Sequence, residues 1–237
     1  MHSVVIGKKR IEKMPKSSYL FPFAILLLIS GASFAQGWIE YSGYEDGFFL
    51  NFPGEPTIEE ITWESEYGAM LPARIFSSES PRGRYSMTVV DYRDAERIHA
   101  ERLGEIDCPE GAETCLGSLT TGVGYWRVDT QGSMVYGAWQ YFQRDAEVTH
   151  FMWNFTNLVE GLQIQLTNPD QSRTFASLYL HDDRLYIIEA TAPDGVRGPG
   201  FFQQSLGFLD EDGANLRYEY YYHNSMREWT DLPPRRR

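Results

Sequence analysis

Residues Phe175 to His181 place Ala176, Leu178 and Leu180 on one face and Phe175, Ser177, Tyr179 and His181 on the other, the period of two that marks a β-strand. A polar His-Asp-Asp-Arg step follows. Leu185 to Thr191 then returns to β-branched and aromatic residues, so the two runs are expected to pair antiparallel about a turn at Asp182 and Asp183. Ala192 to Gly200 carries prolines 193 and 199 and glycines 195, 198 and 200, a loop composition. Pro199 suits a first helical position, and Phe202, Leu206 and Leu209 follow at the spacing of a short amphipathic helix.

The same reading gives a strand at Gly47–Phe52, ended by Pro53-Gly54, a more polar one at Pro56–Glu64, and a hairpin of Met70–Ser77 with Arg84–Tyr92. Asp94 to Glu105 changes character and reads as a surface helix with a thin apolar stripe. From Gly132 to Thr191 a meander of five strands is expected, at Met134–Phe142, Val148–Phe155, Gly161–Leu166, Phe175–His181 and Leu185–Thr191. Leu216–Tyr222 would add an edge strand. The expectation is an α+β fold, a single antiparallel sheet covered by two or more helices. One domain would occupy 36–215, with an edge strand and C-terminal tail at 216–237.

The N-terminus changes the compartment. Basic residues from Lys8 to Lys16 precede an apolar run, Leu20–Ile29, and Ser33-Phe34-Ala35 supplies small residues for cleavage, so 1–35 reads as a secretory signal. An uncleaved anchor is the alternative, although the run is about half of what spans a bilayer, and Met14 is an alternative start. The protein is expected to be exported, to the periplasm or the extracellular space, with no stable membrane insertion after cleavage. Residues 1–35 hold five of the 21 basic and one of the 33 acidic residues, so the remainder carries −16. That balance argues against sequence-independent binding to nucleic acid or to an anionic membrane surface, and is compatible with an electropositive partner. Cys108 and Cys115 enclose a short loop; a structural disulfide is the leading reading in an oxidising compartment, with free thiols or exchange chemistry as the other.

Candidate chemistry is sparse. His150, and His181 beside Asp182 and Asp183, could form an acid/base or metal corner at strand ends, against the plainer reading of solvated turn residues. No P-loop, H-E-x-x-H helix or nucleophile elbow occurs. No catalytic residue, cofactor or metal is therefore assigned. Trp126, Tyr136, Trp139, Tyr141, Phe142, Phe151, Trp153 and Phe155 either form core or line a groove with Arg127 and Arg144 at its rim. Tyr218, Tyr220, Tyr221 and Tyr222, with Arg235, Arg236 and Arg237 behind them, have the composition of a docking surface.

An opening strand ending in Phe52-Pro-Gly-Glu-Pro56, a central meander, the strand RLYIIEATAP, a Gly/Pro loop and the segment FFQQSLGFL together resemble the PsbP and Mog-like family and related exported bacterial proteins of unknown function. The resemblance spans about Gly47 to Leu209 and implies an antiparallel sheet packed between helices, in proteins that mainly bind other proteins. The cysteine loop and the tyrosine-rich tail lie outside it, and no manganese or calcium ligand set carries over. The expected function is a non-catalytic protein-binding or accessory module. A small-ligand carrier or hydrolase-like enzyme with a pocket at the 192–200 loop is the alternative.

Overall fold

The computed structural model describes residues 37–104 and 125–224. The expected signal segment, Cys108 and Cys115, and Arg235 to Arg237 lie outside the described residues. Within them the order is β1 (Ile39–Gly43), β2 (Phe48–Phe52), β3 (Thr57–Glu64), β4 (Met70–Ser80), β5 (Gly83–Asp91), α1 (Ala95–Gly104), α2 (Tyr125–Phe142), β6 (Glu147–Thr156), β7 (Val159–Thr167), β8 (Arg173–His181), β9 (Arg184–Ala192), α3 (Gly200–Gln203) and β10 (Gly207–Phe208).

These strands form two antiparallel sheets, a seven-stranded one in the order β3-β4-β5-β9-β8-β7-β6 and a three-stranded one in the order β1-β2-β10. This overturns the expected single sheet covered by helices. The reason lies in β9, where Tyr186, Ile188 and Ala190 face one way, Leu185 and Ile187 the other, and all five are buried. Both faces of the central strands are apolar, so each needs a cover. Helices α1 and α2 cover one face. The small sheet covers the other, with Phe48, Leu50 and Phe52 of β2 buried against Phe76, Met87 and Tyr186. Phe48 meets Phe76 edge-to-face at 5.0 Å, and the Tyr186 hydroxyl donates to the Asp46 carbonyl at 2.6 Å, tying the two sheets together.

Asp182 and Asp183 both adopt positive φ, 50° and 52°, at the centre of the β8–β9 hairpin. Aspartate tolerates this region, and such a turn matches the right-handed twist of paired strands. The helix expected after Pro199 stops after one turn. Phe202, Leu206 and Leu209 are buried nonetheless, because the chain continues as β10 and keeps them on the core side. Leu216–Tyr222 forms no strand; it touches the large sheet through one isolated bridge, Tyr222 beside Val159, and the small sheet through the Leu216 N–H, which donates to the Phe208 carbonyl at 2.8 Å.

The largest departure is Met134–Phe142, expected as a strand and found as the C-terminal half of α2. The face of α2 that packs on the sheet is made of Asp129, Thr130, Ser133, Gly137, Ala138 and Tyr141, small and polar apart from the tyrosine. Its apolar Val128, Val135 and Trp139 are exposed. Hydropathy therefore runs against burial here, and the helical period is invisible to a reading that equates apolar with inside. Gly137 allows the close approach: a Cβ there would stand 2.7 Å from Leu178 Cδ2 of β8.

Candidate functional site

The structure divides the expected acid/base corner. His181 ends β8 and is 3% exposed, stacked on Phe208 at 4.2 Å and hydrogen-bonded through Nε2 to the Tyr218 hydroxyl at 2.6 Å. Asp182 accepts from Arg184 Nη1 at 2.9 Å, and Asp183 accepts from the Asn224 amide at 2.6 Å. His150, in β6, stands in the row of Gln165 and Phe175. From Phe175 to His181 the strand runs roughly 20 Å, so His150 belongs to the opposite end of the sheet. Among the described residues no group of three or more His, Cys, Asp or Glu side chains could hold a metal ion. His181 is seated in an aromatic nest, and Asp182 and Asp183 form the tight turn.

The tyrosine set also splits. Tyr222 is buried in the core, where its backbone N–H donates to the Leu158 carbonyl and its hydroxyl accepts from the Asp182 N–H. Tyr218 is half-buried beside it. Only Tyr220 and Tyr221 stand at the surface, and the Tyr221 ring lies 5.1 Å from Phe155. That contact leads onto β6, the edge of the large sheet.

Strand β6 carries three exposed aromatic residues in alternate positions. Phe151, Trp153 and Phe155 lie on one face and are 49%, 59% and 47% exposed, and Met152 points to the other at 51%. They stand opposite Ile164, Leu162 and Glu160 of β7, on the face that α1 and α2 cover farther in. Helix α2 is centred over β8, and only Phe142 reaches outward, edge-to-face with Phe151 at 5.1 Å. The aromatics thus cover β7 with one side and present the other to solvent. No backbone bond joins β6 to any described residue beyond β7, so alternate N–H and C=O groups point outward. The opposite edge, β3, has Glu59, Glu60 and Glu64 among its exposed residues, charges that discourage strand addition; β6 has no acidic or basic residue after Glu147 except the single His150.

A buried polar cluster escaped the sequence reading. Ser65, His99 and Asp129 are 2%, 4% and 1% exposed; Ser65 Oγ and His99 Nε2 both bond to Asp129 Oδ2, the latter at 2.8 Å. The residue types are those of a hydrolytic triad, but the order is not. The carboxylate sits between serine and histidine, so no imidazole is placed to take the serine proton. The cluster instead ties α1, α2 and the β3–β4 connection. Buried Tyr92, close enough to feel the Asp129 charge, has its hydroxyl held protonated above the ordinary tyrosine range by burial first and by that charge second.

The 192–200 loop borders a cleft of about 900 Å³, walled by Trp38, Tyr85 and Phe201 and rimmed by Arg82 and Arg197. Trp38 packs edge-to-face on Tyr85 at 5.3 Å and on Phe201 at 5.2 Å. The loop is anchored: Arg173 Nη2 donates to the Val196 carbonyl at 2.6 Å, and Gly198 lies against the Phe175 ring.

No family model matches the chain. No curated protein matches it either. Among solved structures it is similar to the solution structure of cyanobacterial PsbP (CyanoP) from Synechocystis sp. PCC 6803, at 14% identity, covering 76% of this chain and 96% of that chain, with a TM-score of 0.41. The likeness is distant and concerns the fold alone.

Proposed function

We propose that the protein is an exported, non-catalytic binding module that takes an extended segment of another protein against the edge of β6. The observation that carries this reading is the β6 edge, unpaired among the described residues, with Phe151, Trp153 and Phe155 half-exposed beside it. Main-chain hydrogen bonds along such an edge supply affinity, and alternate side chains set specificity. Three aromatics of roughly 150–250 Å² each, about half exposed, with Val148 on the same face, leave a patch of the order of 300 Å², the range in which surface patches on monomers tend to be functional. The chain's net charge of −12 selects a segment with apolar residues at alternate positions and basic residues flanking them.

The test compares the full chain, a Trp153→Lys variant and a chain ending after Asn224 for capture of a partner, with thermal unfolding as the control for folding. Truncation at 216 is unsuitable, because it removes Tyr222 from the core. Trp153 is more than half exposed, so its replacement should leave stability within about 0.5 kcal/mol while abolishing capture. A partner retained by Trp153→Lys but lost on removal of 225–237 would move the docking surface to the C-terminal tail and sink this reading.

A further inference from the structure

We infer that the cleft between the β4–β5 hairpin and the 193–200 loop is a binding site for a carboxylate carried on an aromatic or acyl body. In a chain of net charge −12, the residues lining this cleft include two arginines and no carboxylate. Arg82 sits at the tip of the hairpin and Arg197 in the loop, so the two cations come from separate segments. Neither makes an ion pair among the described residues, a state they share with Arg84, Arg102, Arg127, Arg173 and Arg217; what sets them apart is that both line one cleft whose lining holds no carboxylate. Two guanidinium groups left uncompensated beside one cleft, in a protein with carboxylates to spare, mark a place where an anion from outside would complete the electrostatics.

The walls define the rest of the ligand. Trp38, Tyr85 and Phe201 form an edge-to-face aromatic chain, and Phe201 is 58% exposed although it belongs to the one-turn α3 whose other phenylalanine, Phe202, is wholly buried. An exposed ring face beside planar guanidinium forks suits a flat or extended apolar body ending in a carboxylate, bound bidentately at the rim. A volume of about 900 Å³ accommodates a small molecule or the last residues of a peptide. Free aryl acids and peptide C-termini share this chemistry.

The experiment is calorimetric titration of the full chain with naphthalene-1-acetate, with octanoate, and with an acetylated tripeptide ending in phenylalanine as acid and as amide. We expect at least one carboxylate probe to bind with Kd below about 1 mM, the amide to bind at least tenfold more weakly than its acid, and Arg82→Gln with Arg197→Gln to weaken the carboxylate by about tenfold or more. Phe201→Ser should weaken it too, and Trp153→Lys, on the β6 face, should not. Tighter binding of the acid-ended peptide than of the free acids would assign the ligand to peptide C-termini; the reverse order would assign it to free acids. Absence of binding by every probe, unchanged affinity in the double arginine variant, or loss of binding in Trp153→Lys would overturn the assignment. The site is separate from β6, so either proposal can fail without the other.

Discussion

At the scale of single residues, Asp129 illustrates how far side-chain chemistry depends on placement. A carboxylate 1% exposed is tolerated because Ser65 and His99 both direct polar hydrogens at it. Removing it leaves two buried groups without their acceptor. Asp129→Ala is expected to lower unfolding free energy by about 3 kcal/mol, read from urea denaturation, whereas Asp129→Asn, which keeps an acceptor oxygen, should cost less. Equal losses in the two variants would show that packing rather than hydrogen bonding is the cause. The cluster could not be read from the sequence, because Ser65, His99 and Asp129 sit on three separate elements and share no motif or spacing.

At the scale of elements, the strand pairs were legible wherever one residue in two was apolar, as in β2, β7 and β8. Failure came at α2, whose fully buried face is small and polar apart from Tyr141, whose Val128, Val135 and Trp139 point outward, and whose Trp126, Met134 and Phe142 are only partly buried. Its packing on β8 depends on what is missing at Gly137. Strand β7 shows the same principle more severely: a Cβ on Gly161 would stand 2.4 Å from the Leu178 carbonyl oxygen and 2.3 Å from the Tyr179 ring. The oxygen belongs to a buried strand and cannot swing aside. Gly161→Ala is expected to destabilise by about 3 kcal/mol, with the β7 and β8 amides losing hydrogen-exchange protection before those of β5. A variant as stable as the parent would mean that the β7–β8 spacing yields more readily than a packed sheet should.

At the scale of the whole molecule, the two cores give the folded state an alkaline limit. Burial holds the Tyr179 hydroxyl up to about 12. Tyr186 and Tyr141 are likewise raised above the ordinary tyrosine range by burial, the latter with the Glu189 charge adding to it. The folded state therefore keeps protons that the unfolded chain releases near pH 10. Their contribution is fully present below that pH and is lost as pH rises through the raised folded values, with a slope approaching roughly 1.4 kcal/mol per pH unit for each tyrosine. Urea denaturation from about pH 9 to pH 11 should show stability falling across this window, with Tyr141→Phe reducing the slope. A flat profile would contradict the burial of these hydroxyls.

The sequence by itself determined the strands β2 to β9, though not β1, β10 or the helical state of Met134–Phe142, because alternation along a chain is a local property and a pleated strand must show it. It also determined the β8–β9 turn, where two adjacent aspartates accept the backbone that a twisted hairpin demands. It could not determine how many sheets those strands would form. That was decided when both faces of β8 and β9 had to be covered and the chain had one helical layer to offer. Nor could it separate buried aromatics from exposed ones: Tyr141 and Trp139 are neighbours in sequence, yet one is 4% exposed and the other 55%. Burial is set by what packs opposite, which for the β6 aromatics is β7 with single rings from Phe142 and Tyr221. The aromatic edge and the arginine-rimmed cleft both arise where chain segments distant in sequence meet, and only the tertiary structure brings those segments together.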